Sequence, residues 1–121
     1  MSKKKVLLID DEADLLKALT VRIEAEGYEV VTAQDGFDGL NKARMLNPDL
    51  IILDLMLPKL NGFKVARFLK FDDRYKKVPI IILTARVQEE DKKLGQEIGS
   101  DLYITKPFNT DALLSAIAQF V

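Results

Sequence analysis

Four stretches of this chain are apolar with hardly a break: Val6-Leu7-Leu8-Ile9, Leu50-Ile51-Ile52-Leu53, Ile80-Ile81-Ile82-Leu83 and Leu102-Tyr103-Ile104. A strand with one wet face alternates apolar and polar residues. Continuous runs of Val, Ile and Leu this short instead indicate parallel strands buried on both faces. A parallel sheet of that kind needs helices on either side, which places the chain in the α/β class.

Each run ends on a polar residue. The first leads into Asp10-Asp11, the second into Asp54, the third into Thr84, and the fourth through Thr105 into Lys106-Pro107. In open α/β sheets, ligands sit at the carboxyl ends of the strands. Three carboxylates, a hydroxyl and a lysine therefore gather on one edge of the sheet, a set suited to a divalent cation and a phosphoryl group. Taken singly the residues say little. An Asp-Asp-Glu run is usually a helix start, and a lone Thr84 or Lys106 is usually a solvated side chain. Their joint placement at separate strand ends is the specific signal. Crowded carboxylates repel, and oxygen ligands without nitrogen or sulfur favour Mg²⁺ or Mn²⁺.

The segments between the runs supply the helices. Leu16, Leu19 and Ile23 recur at helical spacing, with Asp11 as a candidate cap and Gly27 where a left-handed C-cap is expected. Tyr28 to Ala33 forms a second strand, and a helix from Phe37 stops at Asn47-Pro48. Leu57-Pro58 to Asn61-Gly62 is a turn, followed by a helix from Phe63 to Phe71 and a charged loop from Asp72 to Lys77. A further helix runs from Gln88 to Ile98, and the last begins near Thr110 with Asn109 as its cap. The Gln88–Ile98 helix offers only Leu94 and Ile98 for burial, with Val87 just before it, so it is a weakly held element beside a charged site. Five strands alternating with five helices in 121 residues make a single domain.

Composition excludes other chemistries. Cysteine and histidine are both absent, which removes disulfides, thiolates and imidazole ligands or bases. A formal net charge of −1 gives no basic excess for nucleic acid and no polarity for a membrane surface. The apolar runs are too short to span a bilayer, and the start Met-Ser-Lys-Lys-Lys lacks the apolar core of a signal peptide. A cytoplasmic protein is the expectation.

The motifs Leu8-Ile9-Asp10-Asp11-Glu12, Pro48-Asp49-Leu50-Ile51-Ile52-Leu53-Asp54, Leu57-Pro58 through Asn61-Gly62, Leu83-Thr84-Ala85 and Lys106-Pro107-Phe108 cover the whole chain in order. Together they resemble the receiver domain of bacterial two-component response regulators, in particular the single-domain chemotaxis and sporulation members. The resemblance implies one receiver domain over residues 1–121, with a flavodoxin-like (βα)5 sandwich and strand order 2-1-3-4-5. It implies Asp54 as phosphoacceptor, Asp10, Asp11, Asp54 and the Met56 backbone carbonyl as ligands for Mg²⁺, Thr84 and Tyr103 as switch residues, and Lys106 as the phosphate-binding cation. It further implies a Lys106-Pro107 bond that is often cis. The phosphoryl group would come from a histidine kinase or a histidine phosphotransfer protein, whose histidine this chain lacks. The output surface would be the face of the fourth helix, fifth strand and fifth helix, acting on a downstream protein or output domain, with no direct contact to nucleic acid or membrane.

The chemistry agrees with those roles. A carboxylate attacking phosphorus needs no general base, and positioned cations neutralise the transferring oxygens. Met56 and Arg86 flank the path of a hydrolytic water in the family pattern, so slow self-dephosphorylation is expected, with Met56 covering the path and Arg86 folding over the phosphoryl oxygens. Rival classes fit less well. A haloacid-dehalogenase-like phosphatase carries a second Asp two residues after its nucleophile, where this chain has Met56. A flavodoxin needs a Ser/Thr/Gly-rich phosphate loop where this chain has acids. A phosphate-independent adaptor with the same fold is the remaining alternative. No output domain follows Val121, consistent with either a stand-alone regulator or a receiver taken from a longer protein.

Overall fold

The computed structural model describes residues 3–86 and 88–121. Ten elements alternate: β1 (Lys5–Ile9), α1 (Ala13–Ala25), β2 (Glu29–Ala33), α2 (Gly36–Leu46), β3 (Leu50–Leu53), α3 (Gly62–Lys70), β4 (Ile80–Thr84), α4 (Glu89–Glu97), β5 (Leu102–Thr105) and α5 (Thr110–Phe120). All strand pairs are parallel, in the order β2-β1-β3-β4-β5. That is the expected sheet. The three central strands are buried along nearly their whole length, whereas β2 and β5 lie at the edges and are mostly half-buried. Edge position explains why those two carry the polar residues Glu29, Thr32 and Thr105.

Two apolar layers enclose the sheet. On one face Leu7, Ile9, Ile51, Leu53, Ile80 and Ile82 pack with α2 and α3 residues such as Leu40, Val65 and Leu69. On the other, Val6, Leu8, Leu50, Ile52, Ile81 and Leu83 pack with Leu16, Leu19 and Ile23 of α1 and Leu113 and Ile117 of α5. Successive strand residues point to opposite faces, so an unbroken run feeds both layers at once.

Caps set most helix starts. Asp35, Asn61 and Asn109 each accept the N–H three residues on, opening α2, α3 and α5. Asn47 ends α2 in the left-handed region at φ 48°, and Gly27 follows α1 at φ 95°, as expected for that glycine. The expected cap of α1 is corrected. Its N-cap is Glu12, which makes no side-chain cap bond, and Asp11 is exposed. The reason is local: the Asp10 carboxylate takes the Glu12 N–H at 2.9 Å, which leaves Asp11 directed to solvent.

The α4 helix is anchored differently from its sequence pattern. Leu94 is 41% exposed, and the buried positions are Asp91, Gly95 and Ile98. Gly95 lies so close to Ile82 and Tyr103 that a side chain there would crowd both. Val87, expected to add apolar area before this helix, lies outside the described residues, as do Met1 and Ser2 at the start.

Gly62 joins the fold to the functional edge. Its N–H donates to the Leu55 carbonyl at 3.0 Å, and a Cβ there would collide with the Asp54 carbonyl and the Leu55 backbone. Neither neighbour is a flexible side chain, so the strain has no cheap relief. Gly62→Ala should cost about 2–3 kcal/mol in urea unfolding. It should also shift the amide resonances of residues 54–56; an unchanged midpoint would show that this loop yields easily.

Candidate functional site

The sheet register builds the site. Ile9 is opposite Leu53, and Thr84 is opposite Thr105, so the residues just past these ends stand side by side. Backbone bonds continue beyond the strands: Asp10 N–H donates to the Ala33 carbonyl at 3.0 Å, Asp54 N–H to Ile9 at 2.9 Å, and Lys106 N–H to Thr84 at 2.8 Å. The side chains that follow are therefore held by the sheet, not by free loops. The Lys106-Pro107 peptide bond is cis, as the resemblance implies.

Lys106 reaches across from β5 to the far side of the site. Its Nζ donates to Asp10 Oδ2 at 2.7 Å, to Glu12 Oε1 at 3.2 Å and to Asp54 Oδ2 at 3.2 Å. The other Asp54 oxygen accepts from the Thr84 hydroxyl at 2.7 Å and from the Met56 N–H at 3.0 Å. Asp10 and Asp54 are buried, at 6% and 5% exposure, and Thr84 is fully buried. Among the described residues, Asp10, Glu12 and Asp54 can bring one oxygen each within 4.8 Å of one another.

Electrostatics leaves this edge short of positive charge. Three carboxylates face one ammonium. Burial pushes the Asp10 carboxyl above the usual carboxylate range, and the nearby Asp54 charge adds to it; the bonds from Lys106 and Glu12 only partly offset this. Burial alone would lower the Lys106 ammonium, but Asp10, Asp54 and Glu12 outweigh it and push it above the ordinary lysine value. The two directions have one cause. The lysine gains from three acids at once, while Asp10 shares a single lysine with two competitors. An all-oxygen donor set with excess negative charge fits a hard divalent cation.

The structure gathers Asp10, Asp54, Thr84 and Lys106 as the sequence indicates. It places Asp11 at the exposed rim and brings Glu12 into the lysine's shell instead. Glu12 stands in the same Asp-Asp-Glu run, but its approach depends on the turn made at Asp10. Met56 sits at the rim with its side chain 55% exposed, tied to Asp54 through its own N–H.

A polar path leaves the site toward α4. Arg86 N–H lies 3.4 Å from the Thr84 hydroxyl oxygen, and the Arg86 carbonyl accepts from the Tyr103 hydroxyl at 2.7 Å. The Arg86 guanidinium pairs with buried Asp91 of α4 at 3.1 Å and is held more firmly charged by it. The expectation that Arg86 folds over phosphoryl oxygens concerns a phosphorylated site; in this structure its charge is engaged by Asp91 of α4. Thr84 is already in contact with Asp54, and Tyr103 is half-buried with its hydroxyl anchored. Asp91 is the residue that an apolar count of α4 misses. Its spacing from Gly95 and Ile98 follows the buried face of the helix, and that periodicity was the available signal.

The chain is similar to known proteins in sequence and in fold. The family model for the response regulator receiver domain matches residues 6–118. The alkaline phosphatase synthesis transcriptional regulatory protein PhoP of Bacillus subtilis (strain 168) is 47% identical over 106 residues, covering 88% of this chain and 43% of that protein. The DNA-binding response regulator MtrA of Mycobacterium tuberculosis (strain H37Rv) is 41% identical over 115 residues, covering 95% of this chain and 49% of that protein. The chain thus spans about half the length of these curated relatives. Among solved structures, the chemotaxis protein CheY4 of Vibrio cholerae superposes with a TM-score of 0.91 at 32% identity, covering 99% of this chain and 100% of that one.

The raised Asp10 carboxyl fixes the sign of a pH effect. A group that binds its proton more tightly when folded opposes folding once it is ionised, and the penalty vanishes below its unfolded pKa. Asp10→Asn should therefore raise stability by about 1 kcal/mol or more near neutral pH, with Lys106 still held by Asp54 and Glu12. The gain should fade as the pH drops through the carboxyl range. Urea melts at pH 7 and at pH 4 read both effects; a gain that persists undiminished at low pH would assign it to something other than the charge.

Proposed function

The chain belongs to the response regulator receiver domain family, and from that membership we propose that Asp54 accepts a phosphoryl group and that its surroundings convert the event into a change of surface. The observation that carries this reading is the convergence of the Lys106 ammonium, the Thr84 hydroxyl and the Asp10 and Glu12 carboxylates on a buried Asp54. An Asp54 carboxylate oxygen attacks the phosphorus of a phosphohistidine on a histidine kinase or phosphotransfer protein. The phosphorus–nitrogen bond breaks, and the imidazole leaves with the electron pair. Lys106 balances charge on the transferred oxygens, and the Thr84 hydroxyl donates to one of them. Asp10, Asp11 or Glu12, Asp54 and the Met56 carbonyl would hold Mg²⁺ or Mn²⁺. The ion, when bound, supplies the positive charge that three carboxylates and one lysine lack.

One further feature supports the switch. The path from Thr84 through Arg86 ends at Tyr103 and at Asp91 of α4, so a shift of Thr84 toward a phosphoryl oxygen is felt on the face of α4, β5 and α5. That face is the output surface in this reading. The partners are a histidine kinase or phosphotransfer protein upstream and a protein or output domain downstream. No helix among the described residues is long and apolar enough to cross a membrane, in keeping with action in the cytoplasm. MtrA is by name a DNA-binding response regulator; the match to it covers half its length, and direct nucleic-acid binding forms no part of the reading for this chain.

Two measurements test the proposal. Incubation with acetyl phosphate and Mg²⁺ should place one phosphoryl group on Asp54 by mass spectrometry, and Asp54→Ala should abolish it. Lys106→Ala should still be labelled but should lose the shift changes on α4. Equal labelling of Asp54→Ala at another carboxylate would remove Asp54 from its role, and undiminished labelling without any divalent ion would remove the metal.

Lifetime is the second. Met56 offers no group to orient a water and its thioether can cover the approach, so self-dephosphorylation should be slow. Arg86, drawn to Asp91 in this structure, adds shielding only if it leaves that pair for the phosphoryl oxygens. Met56→Asn, alone and with Arg86→Glu, should shorten the lifetime by roughly ten-fold, equivalent to about 1.4 kcal/mol in the barrier. Decay at the parent's rate in both variants would show that these side chains do not gate the water.

A further inference from the structure

At the far end of the molecule from Asp54, the C-terminal ends of α2 and α3 border an open groove of aromatic and charged side chains. The helices run antiparallel to the strands, so their C-terminal ends lie at the edge opposite the phosphoacceptor. There Arg44, Arg67, Phe68, Phe71, Asp72 and Asp73 line an open groove of about 540 Å³. Phe68 is 49% exposed and Phe71 70%, and Met45, next to Arg44, is 77% exposed. Isolated apolar side chains on a surface need no explanation. Two phenylalanines flanked by two arginines in one groove have the composition that marks interface cores, which are enriched in aromatics, Met and Arg.

The charges in the groove are unequally satisfied. Asp72 holds Arg74 through two bonds, at 2.9 and 3.2 Å, and that guanidinium together with the Arg74 N–H holds its carboxyl below the usual range. Asp73 pairs with Lys76 at 3.0 Å. Arg22, Arg74 and Arg86 each have an ion-pair partner, whereas among the described residues neither Arg44 nor Arg67 is within ion-pair distance of an acid, although the Arg44 charge helps hold the Asp72 carboxyl down. The Arg67 guanidinium lies over the Phe71 ring at 5.8 Å, and the Tyr75 hydroxyl donates to the Arg44 carbonyl at 3.2 Å, tying the end of α2 to the turn after α3. Guanidiniums are suited to carboxylates, which they bind in a bidentate fashion.

We propose that the α2–α3 groove is a docking surface for an acidic segment of a partner protein that carries apolar side chains. The apolar anchors would pack on Phe68 and Phe71, and its carboxylates would pair with Arg44 and Arg67. A second copy of the chain is a poor occupant. A two-fold interface would place the same patch on both sides and bring four guanidiniums together, while Asp72 and Asp73 are already engaged by Arg74 and Lys76. The surface lies apart from Asp54 and from the α4–β5–α5 face, so a partner held there leaves both free.

The test uses a defined probe on the intact chain. A synthetic helix with leucine and phenylalanine one turn apart on a glutamate background is titrated into isotope-labelled protein, with a lysine-background peptide as control. The glutamate peptide should bind at least roughly ten-fold more tightly than the lysine peptide, a difference of about 1.4 kcal/mol. Amide shifts should cluster at residues 44–45 and 67–73. The double variant Arg44→Glu, Arg67→Glu should reverse the preference, and Phe71→Ala should weaken binding while leaving acetyl phosphate labelling of Asp54 unchanged. Equal affinity for both peptides, or shifts spread elsewhere on the surface, would overturn the proposal. So would concentration-dependent self-association that Phe71→Asp abolishes, which would assign the groove to a second copy.

Discussion

The Lys106 ammonium inside a shell of three carboxylates is the interaction on which the functional edge depends. With strand order β2-β1-β3-β4-β5, a lysine after β5 touches an aspartate after β1 across two intervening strand ends. It thereby fastens an edge strand to the centre of the sheet by side-chain contact as well as by the ladder. The same contact leaves the site under-neutralised, because one positive charge serves three acids. Burial sharpens that deficit, since Asp10 and Asp54 have little water to screen them. The edge is therefore built to gain from an added cation.

The second constraint is the thinness of the link between the site and α4. Thr84, wholly buried at the end of β4, bonds Asp54 on one side and approaches the Arg86 amide on the other. Arg86 then divides its polar groups: the carbonyl takes Tyr103 and the guanidinium takes Asp91. A helix that buries a carboxylate, a glycine and one isoleucine gains little from apolar area. Its contacts at Gly95 and Ile98 are supplemented by an ion pair whose arginine stands two residues from the group that touches Asp54. Packing elsewhere is of a different kind. The helices α1, α2, α3 and α5 bury leucine, isoleucine, valine or alanine against continuous strands, and such contacts do not respond to charge.

Much of this was legible beforehand because the signals were redundant. Unbroken apolar runs, a polar residue after each, and Gly, Asn or Asp at the helix boundaries all pointed to the same sheet, the same edge and nearly the same helix limits. Strand order came from the resemblance, since a run of isoleucines does not say which run lies beside it. Misreadings fell where one hydrogen bond outweighs local propensity. Asp11 resembles a cap, but the Asp10 carboxylate takes the Glu12 N–H first. Leu94 resembles a core residue, but the rotation of α4 buries Asp91 and Gly95.

The sequence by itself determined the class of fold, the edge at which chemistry gathers and the residue types available there. These follow from periodicity and from the parallel direction of the strands, both local properties of the chain. Tertiary structure alone decided which acids share the lysine, so that Glu12 enters its shell while Asp11 faces solvent. It also decided that Arg86 turns to Asp91 and that two phenylalanines stay exposed beside Arg44 and Arg67. Those outcomes depend on side-chain direction and on competition for hydrogen bonds between segments far apart in the chain. No local pattern of residues records the result of that competition.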